Sequence, residues 1–307
     1  MITNFFSKSK PIHLVVISLI LLLVFILTKF LNLDLSFNLF EILKQILLFI
    51  VCLLSVFILD FFVTRNNLTK KNSYKIFLFV LFVAMFPETI LNSKILISNV
   101  FILLALRRLV SLRTQKEIKK KIFDAAFWIS IATLFYFWAI LFYSLIFAAL
   151  ILYSISDIKN WIIPFIGILC VAIISVAYMI ITGIDYILCF ENLYKYSFDF
   201  SQLNSKNIIL SATILFSYGL WALFYYFKNL NNKPKNYRPS FILIGITFLI
   251  STLIIVVSPQ KNGSEFIFLF APLAIIITNY IEMVTERWFK EALLLILIFT
   301  PILNLIL

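Results

Sequence analysis

Histidine and cysteine are almost missing from this chain: His13 stands alone, and Cys52, Cys170 and Cys189 are the three thiols. Iron oxygenases, haem cytochromes and zinc proteases each need several such ligands. None of those chemistries has its residues here, and no metal or cofactor is expected. Three cysteines also fail to make a framework of bridges. Cys52 and Cys170 lie inside apolar runs and read as small apolar residues, whereas Cys189 falls in an outer loop with no evident partner. His13, at the edge of the first apolar run, reads as an interfacial side chain. Glycine is equally sparse, and its five positions never form GxGxxG or a P-loop, so a nucleotide cradle is excluded.

Charge is scarce as well. Only 13% of residues are charged and 63% are hydrophobic, against roughly 25% and 45–50% in soluble domains. The longest weakly hydrophobic interval, 183–207, is too short for an independent core. One all-α polytopic membrane domain spanning residues 1–307 is therefore expected. No Asp or Glu falls in the middle of an apolar run, and the two halves show no repeat. Both absences argue against a proton-coupled pump or channel. The 35 Phe residues read as lipid-facing side chains of an AT-rich coding sequence rather than as an aromatic cofactor site.

What the chain does have is a sorted set of cations. The net charge of +12 would suggest nucleic acid in a soluble protein, but here the basic residues sit in short connections between apolar runs, and no nucleic acid is expected. Twenty of the 26 Lys and Arg residues fall in connections of one parity. Only Lys29, Lys44, Lys94, Lys195, Lys206 and Lys261 fall in the other. Loops rich in Lys and Arg stay cytoplasmic during insertion, which places the N-terminus and 107–121 inside and 184–206 outside. The 14 carboxylates divide evenly between the two sides, so acidic groups stand out on the outer face.

Walking the runs gives about eleven transmembrane or re-entrant helices. The first, 12–33, is uncleaved, with Lys29 able to snorkel outward. Asp60, near the end of 42–63, should meet the cations of the following basic loop. Residues 107–121 read as an amphipathic helix on the headgroups, with Leu109, Leu112 and Ile118 facing lipid. The stretch 125–156 has no charge, Gly or Pro. As one helix it would run about 48 Å, and a single crossing would put Lys228, Lys233, Lys235 and Arg238 outside. It is therefore divided near Trp138 into two short helices.

The outward polar residues are Asp34, Glu41, Glu88, Lys94, Asp185, Glu191, Lys261 and Glu265. An enzyme on that face works without cytoplasmic nucleotides, and a sugar or phosphoryl donor there is one carried on a polyprenyl lipid. Such chemistry needs a carboxylate to deprotonate an acceptor hydroxyl and a cation for the departing phosphate. The most polar short outer turn is 258–265, where Pro259 ends the preceding helix and Gly263 permits a tight backbone.

The segment Ser258-Pro259-Gln260-Lys261, followed by Glu265-Phe266-Ile267-Phe268-Leu269-Phe270-Ala271-Pro272, resembles a late stretch of the GT-C glycosyltransferases, multispan enzymes that use polyprenyl-phosphate sugars. Phe266 stands where that pattern often has Tyr, and Pro272 is the one proline kept. The run Leu104-Ala105-Leu106-Arg107-Arg108, with Phe123-Asp124-Ala125-Ala126-Phe127-Trp128 and Phe135-Tyr136-Phe137-Trp138, is similar to their basic inner connection before a pair of short helices. The resemblance implies a GT-C-like bundle acting on a lipid-phosphate-linked sugar at the outer face. Asp34 or Glu88 would then be the base, and Lys94, Lys261 and Glu265 would contact substrate. Asp34 departs from the family by standing in a short first outer loop. The chain also resembles uncharacterised bacterial multispan inner-membrane proteins. The other readings are a transporter or flippase using the same cavity, or a cell-envelope scaffold, with membrane lipids as the partners in every case.

Overall fold

The computed structural model describes residues 2–32, 39–183, 196–259 and 261–306. Every regular element among them is helical. In chain order these are α1 (Ile2–Phe6), α2 (Pro11–Asn32), α3 (Leu39–Arg65), α4 (Tyr74–Met85), α5 (Glu88–Leu91), α6 (Ser93–Val110), α7 (Ile118–Phe135), α8 (Tyr143–Leu152), α9 (Ile158–Thr182), α10 (Lys206–Lys228), α11 (Arg238–Val257), α12 (Ile267–Met283) and α13 (Arg287–Ile306). Eight helices of the described residues are long and apolar enough to cross a membrane, and Tyr74–Met85 and Phe137–Leu152 are shorter apolar ones. The protein is a multi-pass membrane protein built as a helical bundle.

Its centre is α4 packed on α12. Of the most apolar window of residues 264–283, 89% is buried, against 11% for 158–182 and 17% for 287–306. A helix apolar all round has no face to present to water, so the two that are sheathed by protein on every side form the core. Phe79, Phe82 and Phe86 of this layer meet Phe270 with ring centroids 5.8–6.2 Å apart. The outer helices α2, α9 and α13 expose long apolar rows, as lipid-facing surfaces do.

The long apolar stretch is broken where parity required it, two residues earlier than expected. Tyr136 adopts an extended backbone (φ −147°, ψ 107°) between α7 and a 3-10 turn that leads into α8. Asp60 also meets its cation, with Lys75 Nζ 2.9 Å away.

Three expectations are corrected. Leu109 and Leu112 are fully buried in protein rather than turned to lipid. The reason is that α6 runs on to Val110 and a 3-10 turn follows, so 107–121 is the tight end of a helical hairpin. Gln115 and Glu117 make the reversal with left-handed backbones (φ 53° and 50°). His13 is buried, not interfacial, because Phe5 and Phe6 of α1 fold over it and its Nδ1 meets Ser73 Oγ at 3.1 Å. Lys29 stays between α2 and α3, only 6% exposed, with its ammonium over the Phe25 ring.

Helix α9 touches the bundle through small residues. A Cβ on Gly167 would stand 2.6 Å from Ala126 Cβ and 3.2 Å from Phe127 N on α7. Backbone cannot swing aside, so Gly167→Ala must push α9 off α7, at about 1–3 kcal/mol for overpacking. At Gly245 the added Cβ would meet only the tip of the Phe227 ring. That side chain is 39% exposed, so it can swing aside where backbone cannot. Thermal melting in detergent should therefore show a clear loss for Gly167→Ala and a smaller one for Gly245→Ala. Equal losses would contradict this packing.

Candidate functional site

Side-chain contacts sort the connections into two ends of the bundle. At one end the N-terminal helix, 65–75, 107–121, 153–160, 228–240 and 282–291 meet one another. Thr3 bonds Glu291, Lys70 N and Asn72 Nδ2 donate to Glu282, Gln115 Nε2 donates to Tyr153 O, and Arg113 lies over the Tyr237 ring. At the other end 87–92, 196–208, 258–265 and Asn304 come together. The first end holds the cation-rich connections and the second the cation-poor ones.

The cation-poor end carries the polar cluster of interest. Its turn folds inward. Ser258, Lys261, Ser264 and Glu265 are each at most 2% exposed. Ser258 Oγ donates to Glu265 Oε1 at 2.9 Å, closing the turn on itself. Lys261 Nζ donates to Ser258 O at 3.0 Å and to Ser197 O, with the Phe200 ring 4.6 Å beneath it. Gly263 has φ +91°, a left-handed conformation open to glycine and strained for other residues. It lies against α5, where an added Cβ would be 3.6 Å from Glu88 Oε2. Asn92, the N-cap of α6, ties α5 to the turn by a 3.3 Å bond to Ser264 Oγ. Behind the turn, the buried hydroxyl of Tyr136 lies beside Ser258 and Glu265.

Glu88 keeps one carboxylate oxygen without a partner. It opens α5 after Pro87, and burial pushes its carboxyl above the usual carboxylate range. Its Oε2 is buried and accepts no hydrogen bond. The side chain lines a cavity of about 110 Å³ together with Thr28, Met85, Asn207, Ile208 and Asn304. Asn304 Nδ2 donates to Ser211 Oγ (2.7 Å) and Met85 O (3.2 Å), and Asn207 Nδ2 donates to Asn304 O (3.1 Å). Asn304 Oδ1 is buried and unbonded like Glu88 Oε2. The rest of the wall is apolar, with Val24, Leu27, Leu31 and Leu305 among it, so the polar atoms lie at one side of a cavity with room for several waters or one hydroxyl-bearing group.

Of the residues singled out from sequence, Lys261 and Glu265 come together in one turn, and Glu88 abuts that turn through Gly263. Lys94 does not join them; it is exposed on the first turn of α6. Asp34, Asp185, Glu191 and Cys189 lie outside the described residues. Asn207, Asn304 and Tyr136 were missed. The signal available for Asn304 was an amide in an otherwise apolar run, which is costly in a membrane and so asks for a reason. Among the described residues no three His, Cys, Asp or Glu side chains gather as a cation site would need.

The burial of Lys261 changes what its removal should do. Lys261→Ala strands two carbonyl oxygens and releases the segment around Ser197, so it should not be neutral to the fold. Hydrogen exchange is expected to rise at 196–203 and to stay unchanged at 228–240. Protection at 196–203 equal to that of the native protein would show that the lysine does not hold the segment.

The chain matches a family described as a family of unknown function, DUF6427, over residues 1–306, and it belongs to that family. No curated protein and no solved structure matches it.

Proposed function

Starting from membership of DUF6427, we propose that this protein is a GT-C-like transferase that moves a sugar from a lipid-phosphate donor. It would work at the bundle end that holds Glu88 and Lys261. That end is the non-cytoplasmic one, the N-terminus is cytoplasmic, the membrane is a bacterial inner membrane, and about eleven helices cross or re-enter it. The observation that carries this reading is the unpaired, buried Oε2 of Glu88 at a largely apolar cavity beside a turn with a buried lysine.

The chemistry follows from those groups. Glu88 takes the proton of an acceptor hydroxyl as that oxygen attacks the anomeric carbon. The bond from that carbon to the lipid phosphate breaks, and the phosphate leaves with the electron pair. Lys261, the buried cation of the adjoining turn, receives it, exchanging its two carbonyl partners for phosphate oxygens. Glu265 acts through the shape of the turn, held by Ser258, and Asp34 is the alternative to Glu88 as the base. The deciding experiment is the lipid-linked glycan profile of a deletion strain. Accumulation of a glycosylated polyprenyl phosphate, reversed by the native gene, supports the transferase. An unchanged profile removes it and leaves the non-enzymatic readings, transport by the same cavity or a cell-envelope scaffold.

A further inference from the structure

The cation-rich end contains a built pocket that setting topology does not require. Positive charges in a loop are enough to hold it in the cytoplasm, wherever their side chains point. Here two guanidinium groups from different helices converge on one ring. Arg107, in the last turn of α6, lies 4.7 Å from the Phe61 centroid, and Arg65, at the end of α3, lies 5.8 Å from it. Phe61 and Arg65 are four residues apart and so share a helix face. The ring is 43% exposed, in the same row of α3 as the exposed Leu54 and Phe57, so the pocket is open beside an apolar surface.

Its floor is the 3-10 turn after α6. Lys121 Nζ donates to Ser111 O and Thr114 Oγ1, both at 2.7 Å, which fixes the turn and adds a third cation. The cavity measures about 350 Å³ and is lined by Arg65, Arg107, Arg108, Ser111, Arg113 and Lys121 among others.

The carboxylates nearby do not neutralise it. Arg108 is held by Asp124 at 2.8 Å, and Asp60 is taken by Lys75. Glu117 is exposed, lines the pocket and offsets part of the Lys121 charge, but among the described residues no ion pair engages Arg65 or Arg107. Stacking on an aromatic face leaves the edge of a guanidinium free, and that planar fork matches phosphate oxygens two at a time. Basic pockets between helices at this depth suit anionic lipid headgroups.

We propose that the pocket between α3, α6 and the turn at 111–114 is a binding site for a phosphate-bearing anion, gripped by Arg65 and Arg107 over Phe61. The site is independent of the transferase reading and lies at the opposite end of the bundle. The anion is either the headgroup of an acidic phospholipid or a free phosphate.

The test uses the full chain in detergent and measures binding of fluorescent short-chain phosphatidylglycerol, with phosphatidylcholine as the neutral comparison. Arg65→Gln with Arg107→Gln should weaken phosphatidylglycerol binding by about tenfold or more. Lys119→Gln with Lys120→Gln, at the same end but outside the pocket, should change it little. Arg65→Lys with Arg107→Lys keeps both charges and should still bind more weakly than the native chain, having lost the forks. Competition by inorganic phosphate assigns the site to a free phosphate, and its failure assigns it to the lipid headgroup. Equal binding of the two lipids by the native chain, or equal losses in the two Gln pairs, overturns the proposal. So does native affinity in the Lys pair.

Discussion

Glu88→Gln is expected to abolish complementation of a deletion strain, with transfer lowered by about 10²–10⁴-fold as for loss of a general base, while the protein still inserts and folds. The amide keeps the size of the carboxyl and cannot take a proton. The same substitution should raise stability, and the sign follows from linkage. Burial raises the Glu88 carboxyl in the folded protein above its ordinary range. Between the ordinary value, about 4.3, and the raised one, the folded state binds more protons than the unfolded state. Stability therefore falls as pH rises through that interval and stays reduced above it. Glu88→Gln removes the charge that causes this, so its thermal melting point should exceed the native one at neutral pH and meet it in acid. Activity should run the other way, appearing with rising pH as the carboxyl loses its proton. A fully complementing Glu88→Gln would end its role as base and pass that role to Asp34. A lower melting point at neutral pH would mean that the ionised carboxylate is stabilised in the fold after all.

Asp60→Ala should be among the most destabilising single changes at the cation-rich end. Lys75 is 1% exposed and donates to Asp60 Oδ1 at 2.9 Å and to Asn72 O at 3.0 Å. Without Asp60 the ammonium stays buried with only a carbonyl for company, and breaking a buried pair from one side costs about 3–5 kcal/mol. The reverse change should cost less. The Asp60 side chain is 27% exposed, so after Lys75→Met it reaches water. Combining Asp60→Leu with Lys75→Met removes both charges and should restore most of the loss, since apolar replacement of a whole pair is often neutral. Melting of the two single variants and the double variant in detergent checks this. Equal losses from the two single variants, with no recovery in the double, would show that the pair is not the unit of stability.

Much of this was legible before folding was considered. The sorting of Lys and Arg named the connections that meet at each end, because alternate connections of a helical bundle lie at alternate ends. The same parity forced a break into the uncharged stretch 125–156, and the extended backbone at Tyr136 is that break. Asp60 was assigned its basic neighbour because the two are close in sequence.

The candidate site was legible only in part. Lys261 and Glu265 share a turn, so their proximity follows from sequence, but their burial does not. A polar loop reads as solvated until 196–200 and α5 are seen to close over it. Asn304 reaches Glu88's cavity from the far end of the chain, a meeting that no local pattern encodes. Leu109 and Leu112 show the general reason. An apolar stripe fixes which face of a helix avoids water. In a membrane, lipid and protein are equally apolar, so hydrophobicity does not choose between them. The sequence by itself determined the helices, their order and the two ends. Which apolar faces meet protein, and which polar groups those contacts bury, was decided by packing among distant segments.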